Sequence, residues 1–407
     1  MSALPTEPAR RLTPAVLLTL AMLGMLSTVS IDMLLPVLPA MADEFGASAS
    51  QIQLTMTGFL VGVCVGQLIF GPLSDAMGRR TPVLIGLALF LAATAISIVL
   101  GALPLVLVAR LVQGIGAGAG MVVGRAVVSD LTHSADAARA FSIFMLIVGL
   151  GPILTPLAGS VLGPIVGWRG VYAAAFAFAV VATIASATCI PVDRPRSPPA
   201  SASAVAAEPS IRRLPRLNRR FLGFAWCYAL GFAAIMANSA SLPFIYQTLL
   251  GMREIQYGLL IALNATGMLV AGLANALIVR RFGPVRIARA GLIVFLGTAL
   301  ATAVVVFAGL TPAAIVPLML IASTSFGMIM GNVTALTITA LPGHAGTASA
   351  LQGALQYLVG GLIAPLVGLL GASSTVPFAI VFALTALLSL TAFLIAARDP
   401  GQPTLSS

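Results

Sequence analysis

Lysine is absent from the 407 residues, so all 21 basic side chains are Arg. Only 11 acids accompany them, and charged residues make up 8 % of the chain. A soluble domain carries about 25 %, which excludes an ordinary soluble protein. Intrinsic disorder is excluded too, because 59 % of the residues are hydrophobic and such a chain buries ample apolar surface. Cysteine is scarce: Cys64, Cys189 and Cys227 lie in or beside apolar runs without a C-x-x-C spacing, which leaves neither a disulfide framework nor a zinc site. The two His, His133 and His344, have no second ligand nearby in sequence, so no metal is expected. A net charge of +10 would point to nucleic acid in a soluble protein. Here most Arg stand in short groups between apolar runs, so the charge reads as membrane topology and no nucleic-acid partner is expected.

What the chain has is apolar length. A helix needs ~20 apolar residues to cross a bilayer. Twelve such runs are present, at 14–36, 51–73, 82–103, 104–128, 138–162, 171–190, 221–244, 256–279, 287–309, 313–336, 347–371 and 376–396. They are far longer than the ~10-residue alternating strands of a membrane barrel. The expected fold is therefore an all-α membrane protein with twelve transmembrane helices. With the N-terminus placed in the cytoplasm, seventeen Arg fall in cytoplasmic segments and only Arg169 and Arg253 in outer loops. The remaining two, Arg110 and Arg125, lie within the fourth span. The positive-inside rule then puts both termini in the cytoplasm. Arg10 and Arg11 before the first run imitate a secretion signal. That run is too long, and lacks the small-residue cleavage site, so it reads as the first membrane helix.

Residues 191–220 are rich in Pro, Ala, Ser and Arg and have the composition of a flexible linker. They are expected to divide an N-terminal six-helix bundle (1–190) from a C-terminal one (221–407). Weak matches at a nearly fixed offset support duplication. Gly78, Gly86 and Phe90 recur as Gly283, Gly291 and Phe295, offset 205. Ile52-Gln53 recurs as Ile255-Gln256, offset 203, and Leu35-Pro36 as Leu242-Pro243, offset 207. Pro156-Leu-Ala-Gly159 recurs as Pro365-Leu-Val-Gly368, offset 209. Two such repeats with substrate at the midplane between them form a transporter architecture.

Within the spans the candidate chemistry is sparse. Asp32 is the one acid well inside a run, and an intramembrane carboxylate is by default functional. Counting at 1.5 Å per residue puts Asp32 and Arg110 both roughly 10 Å below the outer surface, so they can meet if their helices are neighbours. That pair is either a static ion pair or a titrating acid with a cationic partner. Burial disfavours the charged acid while a nearby Arg favours it. Gln113 lies one turn from Arg110 on the same face. It can hold the guanidinium, touch substrate, or make a helix–helix hydrogen bond. Gly114, Gly116, Gly118, Gly120 and Gly124 crowd the fourth span. No strand precedes them and G-x-G-x-x-G is not matched, so close helix contact is expected, not a nucleotide site. Gly151, Pro152, Pro156 and Gly159 are expected to bend the fifth span and let neighbours slide on it. Asn238, Asn264, Asn332, Gln356 and Tyr357 are candidates for the substrate cavity, beside Asn275 and Gln352. Asn238 is offset 206 from Asp32, so the second half lacks the acid.

Gly71-Pro-Leu-Ser-Asp75-Ala-Met-Gly78-Arg79-Arg80 resembles the loop signature of the major facilitator superfamily. Arg110-Leu-Val-Gln113-Gly114 resembles the Arg-x-x-Gln-Gly motif of its proton-coupled members. Gly149-Leu-Gly151-Pro152 through Gly159 resembles the Gly-Pro motif of its drug:proton antiporters. Ile31-Asp32-Met33-Leu-Leu-Pro36-Val-Leu-Pro39 and Gly346-Thr-Ala-Ser-Ala-Leu resemble the Bcr/CflA drug-resistance subfamily. Ala76 departs from the loop signature, where a basic residue is usual. The resemblance implies the two-repeat major facilitator fold. It also implies a cytoplasmic gate at Gly71, Asp75, Gly78, Arg79 and Asp130 that locks the outward-facing state, with Arg125 close by.

The expected function is proton-driven export of small amphipathic, drug-like compounds across the bacterial inner membrane. The subfamily resemblance implies chloramphenicol, bicyclomycin or sulfonamide-like cargo. Protons, the drug-like substrate and membrane lipid are the expected partners, the chain is expected to be a monomer, and no cofactor or enzymatic activity is expected. The rival readings are a permease that imports a metabolite on the same fold, and a membrane receptor, which would need a sensor domain that the sequence lacks.

Overall fold

The computed structural model describes residues 13–99, 101–131, 135–190, 217–342, 344–369 and 375–398. Most of the expected linker, 191–216, lies outside the described residues. The described chain is helical: α1 (Pro14–Asp32), the short α2 (Leu38–Phe45), α3 (Ala49–Met77), α4 (Arg80–Val99), α5 (Leu103–Leu131), α6 (Ala135–Cys189), α7 (Arg219–Pro243), α8 (Glu254–Phe282), α9 (Pro284–Phe307), α10 (Ile315–Thr339), α11 (Ala345–Leu369) and α12 (Val376–Arg398). Eleven continuous segments are long and apolar enough to cross a membrane. One of them covers 47 residues, Ile143–Cys189, enough at helical rise for two crossings of a ~30 Å bilayer core. Gly167, at φ 66° and ψ 179°, is non-helical and folds α6 back on itself. The two arms of α6 are the expected fifth and sixth spans, which brings the described spans to the twelve read from the sequence.

Helix ends follow local chemistry. Thr13 Oγ1 accepts from Val16 N at 3.3 Å and Pro14 opens α1. Asn218 Oδ1 accepts from Phe221 N at 2.7 Å, and its Nδ2 donates to the Ala340 carbonyl at 2.6 Å, tying α7 to the end of α10. The duplication is sharper in the structure than in the sequence. α3 and α8 are each 29 residues long, and both their starts and their ends are offset by 205. Gln51 accepts the N–H of Ser48 at 2.8 Å, and Gln256 accepts that of Arg253 at 2.8 Å. The structural counterpart of Gln256 is therefore Gln51, not Gln53 as the expected 203 offset had it. Gly78 and Gly283 both close their helices at positive φ, 87° and 76°, where a side chain would be strained.

Helices α1–α6 pack chiefly on one another, as do α7–α12; α3 against α11 and α6 against α8 are the broad seams between the two sets. The glycines of α5 face three neighbours in turn. A Cβ on Gly114 would strike the Phe59 carbonyl of α3, and one on Gly118 would lie 2.6 Å from the Val63 carbonyl. From Gly116 it would reach the Gly86 carbonyl of α4, and from Gly120 it would lie 3.0 Å from Leu26 of α1. Gly62 and Gly66 return the contact from α3 to Leu111 and Ile115. Expected close helix contact is thus what the glycines of the fourth span provide. Apolar side chains such as Leu277 and Val304 cover the outside of the bundle, as a lipid-facing surface requires.

Gly62→Leu is expected to lower the melting midpoint of the detergent-solubilised protein, because overpacking a fixed backbone contact costs ~1–3 kcal/mol or more. Gly297→Ala serves as the control. Gly297 sits in α9 with nothing within 4 Å of a would-be Cβ, so its midpoint should not fall.

Candidate functional site

The site forms where α1 loses its helical register. After Asp32 the chain passes through a short 3-10 turn at Leu35–Val37 before α2 begins. This break places Asp32 at the end of α1, on the wall of a cavity of about 220 Å³. Thr28 and Ile31 of α1, Pro152 of α6, Asn238 and Ser239 of α7, Asn264 of α8, Ser323 and Phe326 of α10, and Tyr357 of α11 share that wall. Both helix sets therefore contribute to one chamber. Its body is apolar, with Met236, Met268, Met319, Met330 and Phe232. Asp32 is its one charged residue, and no Arg lines it. Asp32 makes no ion pair among the described residues.

Polar groups of the wall are used unevenly. The Asn238 side chain is 4 % exposed, and both its Oδ1 and Nδ2 are buried without a partner. An unsatisfied buried amide costs ~1–3 kcal/mol per group, so Asn238 is suited to a ligand that offers both a donor and an acceptor. Tyr357 donates from its hydroxyl to Met121 Sδ at 3.7 Å, and its ring meets Phe232 edge-on at 5.5 Å. Ser27 Oγ donates to the same sulfur at 3.2 Å. Met121 of α5 thus ties α1 to α11 across the two helix sets.

Of the expected cavity residues, Asp32, Asn238, Asn264 and Tyr357 line the chamber, and Gln113, Asn332 and Gln356 do not. Asn332 Nδ2 donates to Asn275 Oδ1 at 2.7 Å, a helix–helix contact between α10 and α8. Gln113 is fully buried: its Oε1 accepts from Arg110 at 2.6 Å and its Nε2 donates to Thr94 at 2.8 Å. Gln356 is half-buried beside Tyr357. Ser27, Thr28, Ser239, Ser323 and the methionines were not expected in the wall. Short polar groups inside apolar spans, Ser27-Thr28, Asn238-Ser239 and Ser323-Thr324-Ser325, are the mark these residues leave in the sequence.

The expected pairing of Asp32 with Arg110 is not made. Arg110 is 1 % exposed and points between α3, α4 and α6. It donates from Nε to the Thr55 carbonyl at 3.2 Å and lies 4.5 Å above the centre of the Phe59 ring. Depth was close: counting up from the contact of Leu26 with Gly120 puts Asp32 level with about residue 114 of α5, one turn from Arg110. Facing was not. Arg110 turns toward α3 and Asp32 toward the chamber, and turn-by-turn counting along separate helices does not relate the two directions.

A second charged cluster sits at the Arg-rich end. Arg79 donates from Nε to Asp130 at 2.9 Å and from Nη1 to Asp75 at 2.6 Å and Ser74 Oγ at 2.8 Å. Burial works against its charge, but the hydrogen bonds of Asp130 and Asp75 and their negative charge outweigh it and hold the guanidinium above its usual pKa. Gly71 accepts from Ser74 at 2.9 Å, and Gly78 makes the turn that lets Arg79 reach back to α3 and across to α5. The structure thus gathers Gly71, Asp75, Gly78, Arg79 and Asp130 at one helix junction. In α6, Gly159 seats the Met33 carbonyl, Gly151 lies 3.0 Å from Thr28 by a would-be Cβ, and Pro156 carries the carbonyl that faces Gly258 of α8. These small and kinked residues bring α6 close to both α1 and α8.

The profile of the Major Facilitator Superfamily matches residues 20–365. A Bacillus subtilis (strain 168) protein, named as an uncharacterized MFS-type transporter, is 30 % identical over 384 residues, covering 92 % of this chain and 93 % of that one. A bicyclomycin resistance protein homolog of Haemophilus influenzae is 24 % identical over 395 residues, covering 93 % and 94 %. Among solved structures, a D-xylose-proton symporter superposes with a TM-score of 0.76 at 15 % identity, over 94 % of this chain and 97 % of that one; at that identity it shows the fold alone. With twelve apolar spans, a chamber walled from both helix sets and a family match over most of its length, this chain belongs to the major facilitator superfamily and is a membrane transporter, not an enzyme.

Proposed function

We propose that the chain expels small amphipathic, drug-like compounds from the cytoplasm in exchange for protons, by alternating access of two six-helix bundles (1–190 and 221–407) joined by the linker 191–220. The observation that carries this reading is the chamber itself: mostly apolar, walled by both bundles, with Asp32 as its one charge and Asn238 unpartnered opposite it. Relatives named for bicyclomycin and chloramphenicol resistance support it. Cargo of that kind, or sulfonamide-like, matches a wall with one carboxylate, two amides and several hydroxyls.

In this reading Asp32 takes a proton in the outward-open state and gives it up inside, and cargo and proton compete for the chamber. One proton crossing ~150 mV supplies about 3.5 kcal/mol, enough for a gradient of a few hundredfold at ~1.4 kcal/mol per factor of ten. The Arg79 cluster holds the cytoplasmic ends of α3 and α5 together in one state and releases them in the other. The location is the bacterial inner membrane as a monomer, with the Arg-rich face and both termini in the cytoplasm.

Reconstitution in liposomes with chloramphenicol, bicyclomycin and a sulfonamide as probes tests the function directly. Outward flux driven by a proton gradient is expected, and inward accumulation would overturn it. Asp32→Asn should abolish gradient-driven flux. Protonation of Asp32 opposes cargo binding, so the parent's affinity should rise with pH, and Asp32→Asn should flatten that profile. Asp130→Asn should slow turnover severalfold while cargo affinity, read by equilibrium binding, stays within about twofold of the parent, because Arg79 is remote from the chamber. Arg110→Gln should lower the melting midpoint, since it removes a buried group that ties α5 to the Thr55 carbonyl and Phe59 ring of α3. The pH midpoint of cargo binding should stay where the parent has it.

A further inference from the structure

Three small residues on one face of α6 bring the end of α1 and the start of α8 together. The Met33 carbonyl, next to Asp32, packs on Gly159. Ser160 packs on Gly258, next to Tyr257. One turn further toward the Arg-poor end, Gly163 faces Glu254 Oε2, and a Cβ there would also lie 2.7 Å from Val37. Asp32, Tyr257 and Glu254 therefore succeed one another along a single seam. Its polar atoms lack partners: Glu254 Oε2 and the hydroxyls of Tyr257 and Tyr246 are buried with no hydrogen bond. Tyr246 and Tyr257 meet edge to face at 6.3 Å. Tyr257 is fully buried and within electrostatic reach of Asp32. Glu254, the first residue of α8, is partly exposed, and a separation of three residues puts it on the same side of α8 as Tyr257. Buried polar groups are normally satisfied, and three orphans between the surface and the one charged residue of the chamber call for a role.

We propose that Glu254 and Tyr257 form a proton-entry route from the Arg-poor face to Asp32. The route rests on the reading that Asp32 is the proton-carrying acid. Glu254 takes a proton from water at the surface. Its protonated carboxyl gives that proton through bridging water to the Tyr257 hydroxyl oxygen as the Tyr257 hydroxyl proton passes through water to the Asp32 carboxylate, since the Tyr257 hydroxyl is in direct hydrogen-bond contact with neither group. Glu254 returns to a carboxylate, Tyr257 ends neutral, and Asp32 holds the proton. The surrounding charges leave Glu254 free for this. Glu44 of α2 is engaged by Arg169 and by Trp168 Nε1 at 2.7 Å. Asp43 is exposed on the same short helix, and Arg253 is exposed with its backbone N–H bound to Gln256. No described basic side chain forms an ion pair with Glu254. Phenols hold and pass protons without carrying charge through the apolar seam, a service that a second carboxylate there would perform only at a large cost in burial.

The test follows protonation of Asp32 itself and needs no cargo. The purified full-length chain in detergent is taken through an acid jump, and the carbonyl band of protonated carboxyl groups is followed by time-resolved infrared difference spectroscopy. Asp32→Asn identifies the Asp32 component by its loss. Glu254→Gln and Tyr257→Phe should each slow the rise of that component by about tenfold or more, since a positioned proton-transfer group contributes ~10²-fold and upward. Its final amplitude and pH midpoint should not change. Glu254→Asp keeps an ionisable carboxyl and should retain most of the parent rate, which separates proton transfer from a packing role if Glu254→Gln folds poorly. Parent-like rates in both Glu254→Gln and Tyr257→Phe overturn the route. So does a shift of the midpoint without a change of rate, which would make Glu254 an electrostatic neighbour only. If Asp32→Asn removes no component, the reading of Asp32 as the titrating acid fails first, and the route fails with it.

Discussion

In lipid, apolar side chains gain nothing by hiding from one another, so helices associate through short-range packing and a few interhelical hydrogen bonds. The bundle depends on that constraint. α5 meets it by turning glycines toward α3, α4 and α1 at successive positions, so that one helix serves as the backbone-to-backbone spine of the first set. α6 does the same at its middle, where Gly159, Ser160 and Gly163 receive α1 and α8. Such contacts have little tolerance for added volume, and they confine larger changes of shape to the seams between the two helix sets. The seams are sealed differently. Gln53 Nε2 donates to the Ala240 carbonyl at 3.0 Å and Gln247 Nε2 to the Pro36 carbonyl at 2.9 Å, both near the Arg-poor end. Deeper in the bundle, Tyr357 reaches Met121 through a weak hydroxyl–sulfur contact.

Charge is handled by the same economy. Arg110, deep in the first set, is kept by a carbonyl, an amide oxygen and an aromatic face, without a carboxylate. Neutral acceptors of this kind satisfy a guanidinium without cancelling its charge, so Arg110 biases its surroundings electrostatically while being held in place. Asp32 is left without a base and borders both the chamber and the polar seam of α8. A carboxylate so placed is exposed to whatever enters the chamber. Among the described residues the pairs of Arg79 with Asp75 and Asp130, and of Arg169 with Glu44, lie at opposite ends of the bundle.

The duplication has been kept in the backbone and abandoned in the chemistry. α3 and α8 share length, capping glutamine and closing glycine. Yet Asp75 and Asp130 have no described counterpart beside Arg280 and Arg281, and the position matching Asp32 holds Asn238, or a neighbour of it. Two similar scaffolds carrying unlike side chains give a chamber with one acidic wall and one neutral wall.

Much of this was legible along the chain. Hydrophobic length fixed twelve spans, because the bilayer demands ~20 apolar residues wherever a helix crosses, and Gly167 then accounts for the one place where two spans run together as a single helix. The close-packing role of the α5 glycines also followed from their crowding in one span, while the gathering of Asp75, Arg79 and Asp130 was what the family resemblance implied, since Arg79 and Asp130 lie 51 residues apart. What spacing does not contain is azimuth. Whether Arg110 faced Asp32 or α3, whether Asn332 faced cargo or Asn275, and which methionines faced the chamber and not the lipid depended on how each helix is rotated against its neighbours. The juxtaposition of Asp32, Tyr257 and Glu254 is of the same kind. It joins residues more than 200 positions apart, and only the seating of α1 and α8 on the small face of α6 puts them on one line.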